Sequence, residues 1–566
     1  MEEHAGAVGA AGRPRQADLL LLLLLFAALT ALSWRRWASF DGDLNREWTT
    51  PARVAAGERL YRDVSYYYGP LVPWTEGAAF RLLGARVGTA VGFGLLAALG
   101  TLLALQAGAR TFLPPAGRLA VASTAAGVFA FAPENGAFPA PYSLAALLAV
   151  GLAWASWTLA REGRDVAASV AAGLALLSKV EALPALLFVG LALGPRRRLR
   201  FAAVALGIAA AGYAWALRGL PVDELVRYGP LRHAALPPEF RELYLRVAGL
   251  HPALLPGALH GLLAGSLLLG GFLAGLSGLL ARRPLRAAAG AAGLLSGALL
   301  WLSRAPEPLL TTLVRGLPAL LLAAFLLALL RAREDEDARH AALAAGIGLS
   351  FAWRTALWTV PSFPYAPLAI VSALPAVAWL AASAAPRAVP QARRRTASAL
   401  LSLPLVLSPL AFLPRLVDFY ASPREAVEGP RGRWLPPGED GALYQAVLDR
   451  LQRLGVSDGS LVVVPEATAL GFLLGVRSPL RLEQLLPGLL DDATDRDTAR
   501  RLEETRPRWV VVLPRATAEF AGSALGRDHG RRTAGVLSRD YVPVTTFRLA
   551  RDPSRSATLL TLAPGR

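Results

Sequence analysis

The residues that could do chemistry are concentrated in one polar stretch, Phe40 to Leu71, FDGDLNREWTTPARVAAGERLYRDVSYYYGPL. It holds five carboxylates, Asp41, Asp43, Glu47, Glu58 and Asp63, and three tyrosines, Tyr66, Tyr67 and Tyr68, that run into Gly69-Pro70. A positioned carboxylate can take a proton from an attacking hydroxyl as general base. Glu47 lies four residues after Asp43, so on a helix the two would share a face. Asp63 follows Arg62 and would either line a site or tie the loop down through that arginine.

The elements around this stretch are apolar. The chain has 566 residues, 54% hydrophobic, with a mean hydropathy of +0.42. Apolar runs near the roughly 20 residues needed to span a bilayer recur along it. They begin at Leu19–Trp37 and, after the polar stretch, resume near 87–109, 119–132, 142–160, 167–177 and 183–193. More follow near 201–217, 256–281, 287–302, 309–330, 341–360, 367–385 and 397–413. The expectation is a polytopic α-helical membrane protein of about thirteen spans. Residues 1–18 form a cytoplasmic tail, 19–413 the membrane domain and 38–86 its first outer loop. Ala31-Leu32-Ser33 is also a passable cleavage site, but the many later spans favour a retained anchor, with Trp34 and Trp37 at an interface belt.

The net charge of +18 follows from arginines in short loops. Arg161–Arg164, Arg196–Arg200, Arg282–Arg286, Arg331–Arg339 and Arg387–Arg395 all fall on one side if the N-terminus is inside. The loops near Pro133–Pro141 and Pro361–Pro364 lack arginine, as the positive-inside rule requires of outer loops. This pattern places the Asp43 loop outside, and a bacterial plasma membrane is the expected location. The basic residues show no aromatic interleaving of the kind single-stranded nucleic acid needs.

Residues 414–566 lose the long apolar runs and read as an extracytoplasmic α/β domain. Its helix is expected at 441–454 with Gly455 as cap, and strands at 461–464 and 509–513. A terminal strand pair is expected at 541–549 and 557–562. Glu239 to Val247 reads as a short surface helix. Cysteine is absent, and nucleotide-binding loops, paired-histidine zinc motifs and nucleophile elbows are not found. Gly293 and Gly297 fall inside spans, where close helix packing is the expected role.

The first outer loop resembles that of the polyprenyl-phosphate-sugar-dependent membrane glycosyltransferases. These have the multispanning C-type fold of protein O-mannosyltransferases and the lipid A aminoarabinose transferase. The matching words are Asp43-Leu-Asn-Arg-Glu47, Gly57-Glu-Arg-Leu-Tyr-Arg-Asp63 and Tyr68-Gly-Pro70, with Gly173 to Lys179 and Phe363 to Pro367 as later matches. The adjacent Asp-Glu pair of some members is missing. The resemblance implies an inverting transferase. It would move a sugar from a polyprenyl-phosphate carrier to a glycan, lipid or protein acceptor outside the cell.

On that resemblance Asp43 takes the place of the first-loop acid, and so of the base. Asp41, Glu47 and Asp63 are further catalytic candidates. The Asp41-Gly-Asp43 triplet also suggests metal-dependent sugar-nucleotide binding, although so short a triplet is common by chance. No cofactor is implied, and a divalent cation requirement is left open.

Lys179, the only lysine, ends an apolar run. Ionisable groups at membrane depth usually mark a functional or paired site. It therefore reads as a phosphate contact, or as an ion pair with Glu181. Arg354, inside a span, is the second phosphate candidate. Tyr66, Tyr68, Glu134, Asn135 and Tyr365 are possible substrate-lining residues, the tyrosines alternatively serving the interface belt. His233 and Arg232 gain no catalytic role. A transporter or flippase of lipid-linked sugars is the alternative, though repeated halves of the transporter type are not visible. A catalytically dead relative that scaffolds envelope assembly is the other.

Overall fold

The computed structural model describes residues 16–40, 42–133, 136–232, 241–242, 245–246, 248–303, 308–333, 335–357, 366–438, 440–513, 524–549, 551–552 and 554–564. Of the residues singled out above, Asp41, Glu134, Asn135, His233 and Tyr365 lie outside these, as does most of the expected surface helix at 239–247.

Among the described residues sixteen helices build the first part, in chain order. They are α1 (Ala17–Ser33), α2 (Leu44–Ala55), α3 (Leu71–Leu83), α4 (Val87–Arg110), α5 (Pro115–Thr124), α6 (Leu144–Arg161), α7 (Asp165–Ser178) and α8 (Leu183–Leu191). Then come α9 (Pro195–Ala216), α10 (Val222–Tyr228), α11 (Leu255–Leu280), α12 (Pro284–Leu302), α13 (Leu309–Arg331), α14 (Glu336–Ala352), α15 (Ala366–Ala388) and α16 (Arg394–Ala421). The short helix 366–388 includes tighter and wider turns along its length.

The chain is a polytopic α-helical membrane protein. Among the described residues eight helices are long and apolar enough to cross a membrane: α4, α6, α9, α11, α12, α13, α15 and the one running to Ala421. Each remaining expected span is also helical but shorter: α1, α5, α7, α8 and α14. Among the described residues the eight long helices are joined by three shorter apolar ones, α1, α7 and the segment Val180–Leu191 that includes α8, which is fewer than the thirteen spans expected. Helix α15 is the central one, 89% buried along its apolar window. Helix α12 is peripheral, 11% buried, and leaves Leu285, Leu295 and Leu302 exposed. Helices α11 and α12 approach closely because Gly297 has no side chain. A Cβ there would come within 2.9 Å of Leu268.

Helix α16 does not stop at Leu413. It continues through Pro414 to Ala421, with Pro404 and Pro409 also inside it. The boundary expected at 413–414 therefore falls inside this helix, since proline in membrane helices is accommodated by neighbouring packing. Pro409 fills the space beside Gly127, where a Cβ would fall 2.3 Å from its ring.

The outer domain holds a hairpin of β1 (Val427–Gly429) and β2 (Gly432–Trp434), and a four-stranded sheet ordered β3 (Leu461–Val464), β4 (Trp509–Val512), β6 (Ser556–Leu562), β5 (Tyr541–Arg548). Strands β3 and β4 are parallel, and β6 is antiparallel to both its neighbours. Helices α17 (Asp440–Arg453), α18 (Ala469–Leu474), α19 (Asp492–Thr505) and α20 (Arg531–Asp540) complete it. The expected helix, both short strands and the terminal strand pair are all present. Gly455 has φ +61°, as its capping role requires.

An aromatic seam docks the hairpin on the first loop. Trp434 lies 6.0 Å from Trp37 and 4.9 Å from Trp48, and Trp48 lies 5.5 Å from Phe472. The Trp434 indole donates to the Ala38 carbonyl at 2.9 Å. Trp37 is consequently fully buried and is not an interface-belt residue. Only Trp34 is exposed as the belt reading expected.

Candidate active site

Helix α2 is short, polar and enclosed. Every residue from Leu44 to Arg53 is buried, although the segment includes Asn45, Arg46, Glu47, Thr49, Thr50 and Arg53. A polar helix can be buried only if its side chains find partners on every side. Here one face meets the outer domain and the other meets the membrane helices.

On the membrane side, Arg46 is the hub. It reaches Asp43 at 3.1 Å and Glu47 at 3.2 Å, and donates to the Tyr142 carbonyl at 3.2 Å. Its guanidinium also sits 5.0 Å from the centre of the Tyr68 ring. Lys179 Nζ lies 4.7 Å from the same ring. Tyr68 is thus flanked by two cations, each attracted by the ring's electron-rich face. Tyr66 packs edge-on against Tyr68 at 5.6 Å. Both are tied in by backbone contacts: Tyr66 N–H donates to the Tyr228 carbonyl, and Tyr61 OH donates to the Tyr68 carbonyl at 2.7 Å. Tyr66 and Tyr67 are buried, which removes the interface-belt alternative for them.

Local sequence explains how Tyr68 meets Lys179. Helix α7 ends at Ser178 and Lys179 turns extended, φ −155° and ψ 121°. The Gly69 N–H donates to the Ser178 carbonyl at 3.1 Å. A Cβ on residue 69 would lie 2.0 Å from the Leu177 carbonyl oxygen, so only glycine allows this approach.

Lys179 does pair with Glu181, at 3.0 Å. The same oxygen of Glu181 is 3.2 Å from Arg354. The two phosphate candidates are therefore brought together on one oxyanion oxygen, although 175 residues separate them in sequence. Glu181 itself is half exposed.

Asp63 stands apart from this cluster. Its carboxylate pairs with Arg62 at 2.9 Å and accepts from the Arg59 N–H at 2.8 Å, closing a turn. Burial acts upward on its pKa, but these hydrogen bonds outweigh it and hold the group below the usual aspartate value. Its geometry is that of the loop tie.

Glu47 differs from Asp43 in burial. Removal from water pushes the Glu47 pKa up to about 7, against the opposing pull of Arg46 and with that of Asp43. One of its oxygens has no hydrogen-bond partner among the described residues. Glu76 on α3 is a further buried carboxyl whose pKa is raised, by burial first and then by Glu47. Asp43, at the start of α2, keeps a quarter of its side chain accessible.

The outer domain adds residues that sequence reasoning missed. Gln484 donates one hydrogen bond to Asp43 at 3.3 Å and one to Glu466 at 2.7 Å. The Asn45 side chain accepts from the Ala469 N–H at 2.8 Å. Arg53, on the outer face of α2, pairs with Glu58 and Glu483, both at 2.6 Å. Nothing local marks Gln484 or Glu466, which lie more than 400 residues from Asp43. Arg46 and Glu181 carried a signal, each being a charged neighbour of a candidate. From the other outer loop, Tyr228 donates to Asp497 at 2.6 Å, and Arg232 pairs with Asp491 at 2.6 Å. Arg232 is accordingly structural.

No family model matches the chain, and no curated protein matches it. Among solved structures it is similar to the crystal structure of ArnT from Cupriavidus metallidurans bound to undecaprenyl phosphate. The identity is 14%, with 96% of this chain and 98% of that chain covered and a TM-score of 0.45. It is also similar to the apo state of the same protein, at 14% identity, 96% and 97% coverage and a TM-score of 0.39. At this degree of likeness neither assigns a role to any residue of this chain.

Proposed function

We propose that this protein is an inverting membrane glycosyltransferase. It takes a sugar from a polyprenyl-phosphate carrier and passes it to a hydroxyl acceptor on the outer side of a bacterial plasma membrane. In this reading the N-terminus is cytoplasmic and residues 422–566 are extracytoplasmic. The observation that carries it is the single Glu181 oxygen shared by Lys179 and Arg354, beside a tyrosine that also contacts Arg46. Two cations that already share one carboxylate oxygen can share a phosphate oxygen. Glu181 is exposed enough to swing aside when the lipid phosphate arrives.

Asp43 is the base. Of the two carboxylates paired with Arg46 it is the accessible one, whereas Glu47 is sealed behind the guanidinium. The acceptor O–H gives its proton to Asp43 as the oxygen bonds to the anomeric carbon. The bond from that carbon to the phosphate oxygen breaks, and the electron pair leaves with the polyprenyl phosphate. Lys179, Arg354 and Arg46 stabilise that charge. One displacement on one face inverts the anomeric centre.

The test is consumption of a panel of polyprenyl-phosphate sugars by full-length protein in nanodiscs. One donor should turn over. Asp43→Asn should lower kcat by about 10²–10⁴-fold, the usual contribution of a general base, with the unfolding midpoint little changed. Lys179→Ala should also lose turnover, through weaker donor binding. An active, folded Asp43→Asn protein would sink the base assignment.

A further inference from the structure

On its outer face, α2 borders a polar cavity of about 180 Å³. Thr49 and Arg53 of the helix form one wall, and Thr468, Phe472, Arg431 and Arg477 of the outer domain form the other. This volume falls below the roughly 300–1,000 Å³ typical of drug-sized pockets, so it suits one sugar-sized group and excludes a lipid chain. From Asp43 to Thr49 is roughly 9 Å along the helix axis at 1.5 Å per residue.

The cavity wall is unevenly satisfied. Arg53 is held by Glu58 and Glu483, and Arg477 by Asp458 at 2.5 Å. Arg431 has no carboxylate within ion-pair distance among the described residues. Its guanidinium lies 5.3 Å from the Phe472 ring centre and makes one long contact, 3.4 Å, to the Gly475 carbonyl. The Thr468 hydroxyl is buried, lines the cavity and has no hydrogen-bond partner among the described residues. Burial and the nearby Arg477 hold the Arg431 pKa below its ordinary value, against the pull of Asp458. A guanidinium with no ion-pair partner among the described residues, an orphaned buried hydroxyl and an aromatic ring together match an acidic sugar: oxyanion, hydroxyl and apolar ring face.

We propose that this cavity binds one oxyanion-bearing sugar unit, a uronate or a sugar phosphate, belonging to the acceptor. The acceptor clause rests on the transferase reading above. The sugar site does not. Arg431 takes the oxyanion, Thr468 hydrogen-bonds a ring hydroxyl, and Phe472 supports the ring. Occupation of the site then fixes the acceptor between α2 and the outer domain, within reach of Asp43.

The experiment is isothermal titration of full-length protein in nanodiscs with glucuronate, glucose 6-phosphate, inorganic phosphate and glucose. Glucuronate or glucose 6-phosphate should bind at least tenfold more tightly than glucose, and the one that does identifies the oxyanion. Arg431→Gln should weaken that binding at least tenfold, and Thr468→Val about threefold, both in protein of unchanged unfolding midpoint. Three results would overturn the site: no binding of either acid to folded protein, equal binding of glucose, or undiminished binding by folded Arg431→Gln. Inorganic phosphate binding as tightly as glucose 6-phosphate would overturn its assignment to a sugar. Because binding is read without turnover, a protein inactive on every lipid-linked donor would refute the transferase reading separately.

Discussion

Arg53 shows what a buried charge costs and gives at the scale of one residue. Its guanidinium is buried between Glu58 and Glu483, with further hydrogen bonds to the Leu480 and Asp63 carbonyls at 2.7 and 2.9 Å. Removing one partner of such a network leaves the other charge stranded, at about 3–5 kcal/mol. Arg53→Ala should therefore lower stability by about that amount, seen as a large drop in unfolding midpoint. A change within the error of a surface substitution would refute this account. Glu47 supplies a pH prediction. Its folded pKa of about 7 lies above the ordinary 4.5, so the folded state holds the proton more tightly than the unfolded chain. Stability is then fully present below about pH 4.5 and is lost as pH rises through 7. By the linkage of about 1.4 kcal/mol per pKa unit, the loss is of order 3 kcal/mol. A pH series of unfolding midpoints should show this fall in wild type, and Glu47→Gln should flatten it.

At the scale of the element, the decisive join is Tyr68-Gly69-Pro70 against the end of α7. Pro70 starts α3, Gly69 lets the backbone reach Ser178, and Tyr68 is thereby set between Arg46 and Lys179. Gly69→Ala would drive a methyl into the Leu177 carbonyl, so the loop must retreat. Overpacking of this kind costs about 1–3 kcal/mol. Binding of a polyprenyl phosphate, measured in nanodiscs, should weaken at least tenfold because Tyr68 leaves Lys179. Unaltered binding would show that the ring does not shape the phosphate site.

The whole molecule is organised so that α2 is the layer shared by two bodies. Its inner face completes the cation cluster and its outer face completes the sheet domain, through Asn45, Arg53 and the Trp48 seam. Gln484 carries this coupling directly to Asp43. Loss of one hydrogen bond of about 1 kcal/mol corresponds to roughly fivefold in rate. Gln484→Ala should lower kcat about fivefold with KM for the lipid donor unchanged, and with a far smaller midpoint change than Arg53→Ala. A rise in donor KM alone would place Gln484 in substrate binding and not in orienting the base.

Much of this was legible in the sequence, for physical reasons that can be named. Apolar runs must be helical in a bilayer because the backbone has no other way to satisfy itself, so the polytopic helical class could be read directly, and eight of the expected spans are helices long and apolar enough to cross a membrane. Period and the capping glycine likewise indicated the helix of the C-terminal domain, expected at 441–454 and found at Asp440–Arg453. Lys179 stood out because an ionisable group beside an apolar run is costly, and its pairing with Glu181 was local enough to foresee. The break between α7 and α8 was legible as well, because the apolar runs at 167–177 and 183–193 stop on either side of Lys179. Burial of Trp37 and of the tyrosines, the separation of Asp63 from Asp43, and the reach of Gln484 and Glu466 into the site were decided only by the tertiary structure. Each depends on contacts between segments tens to hundreds of residues apart, and the chain's local chemistry does not encode which distant surface will cover it.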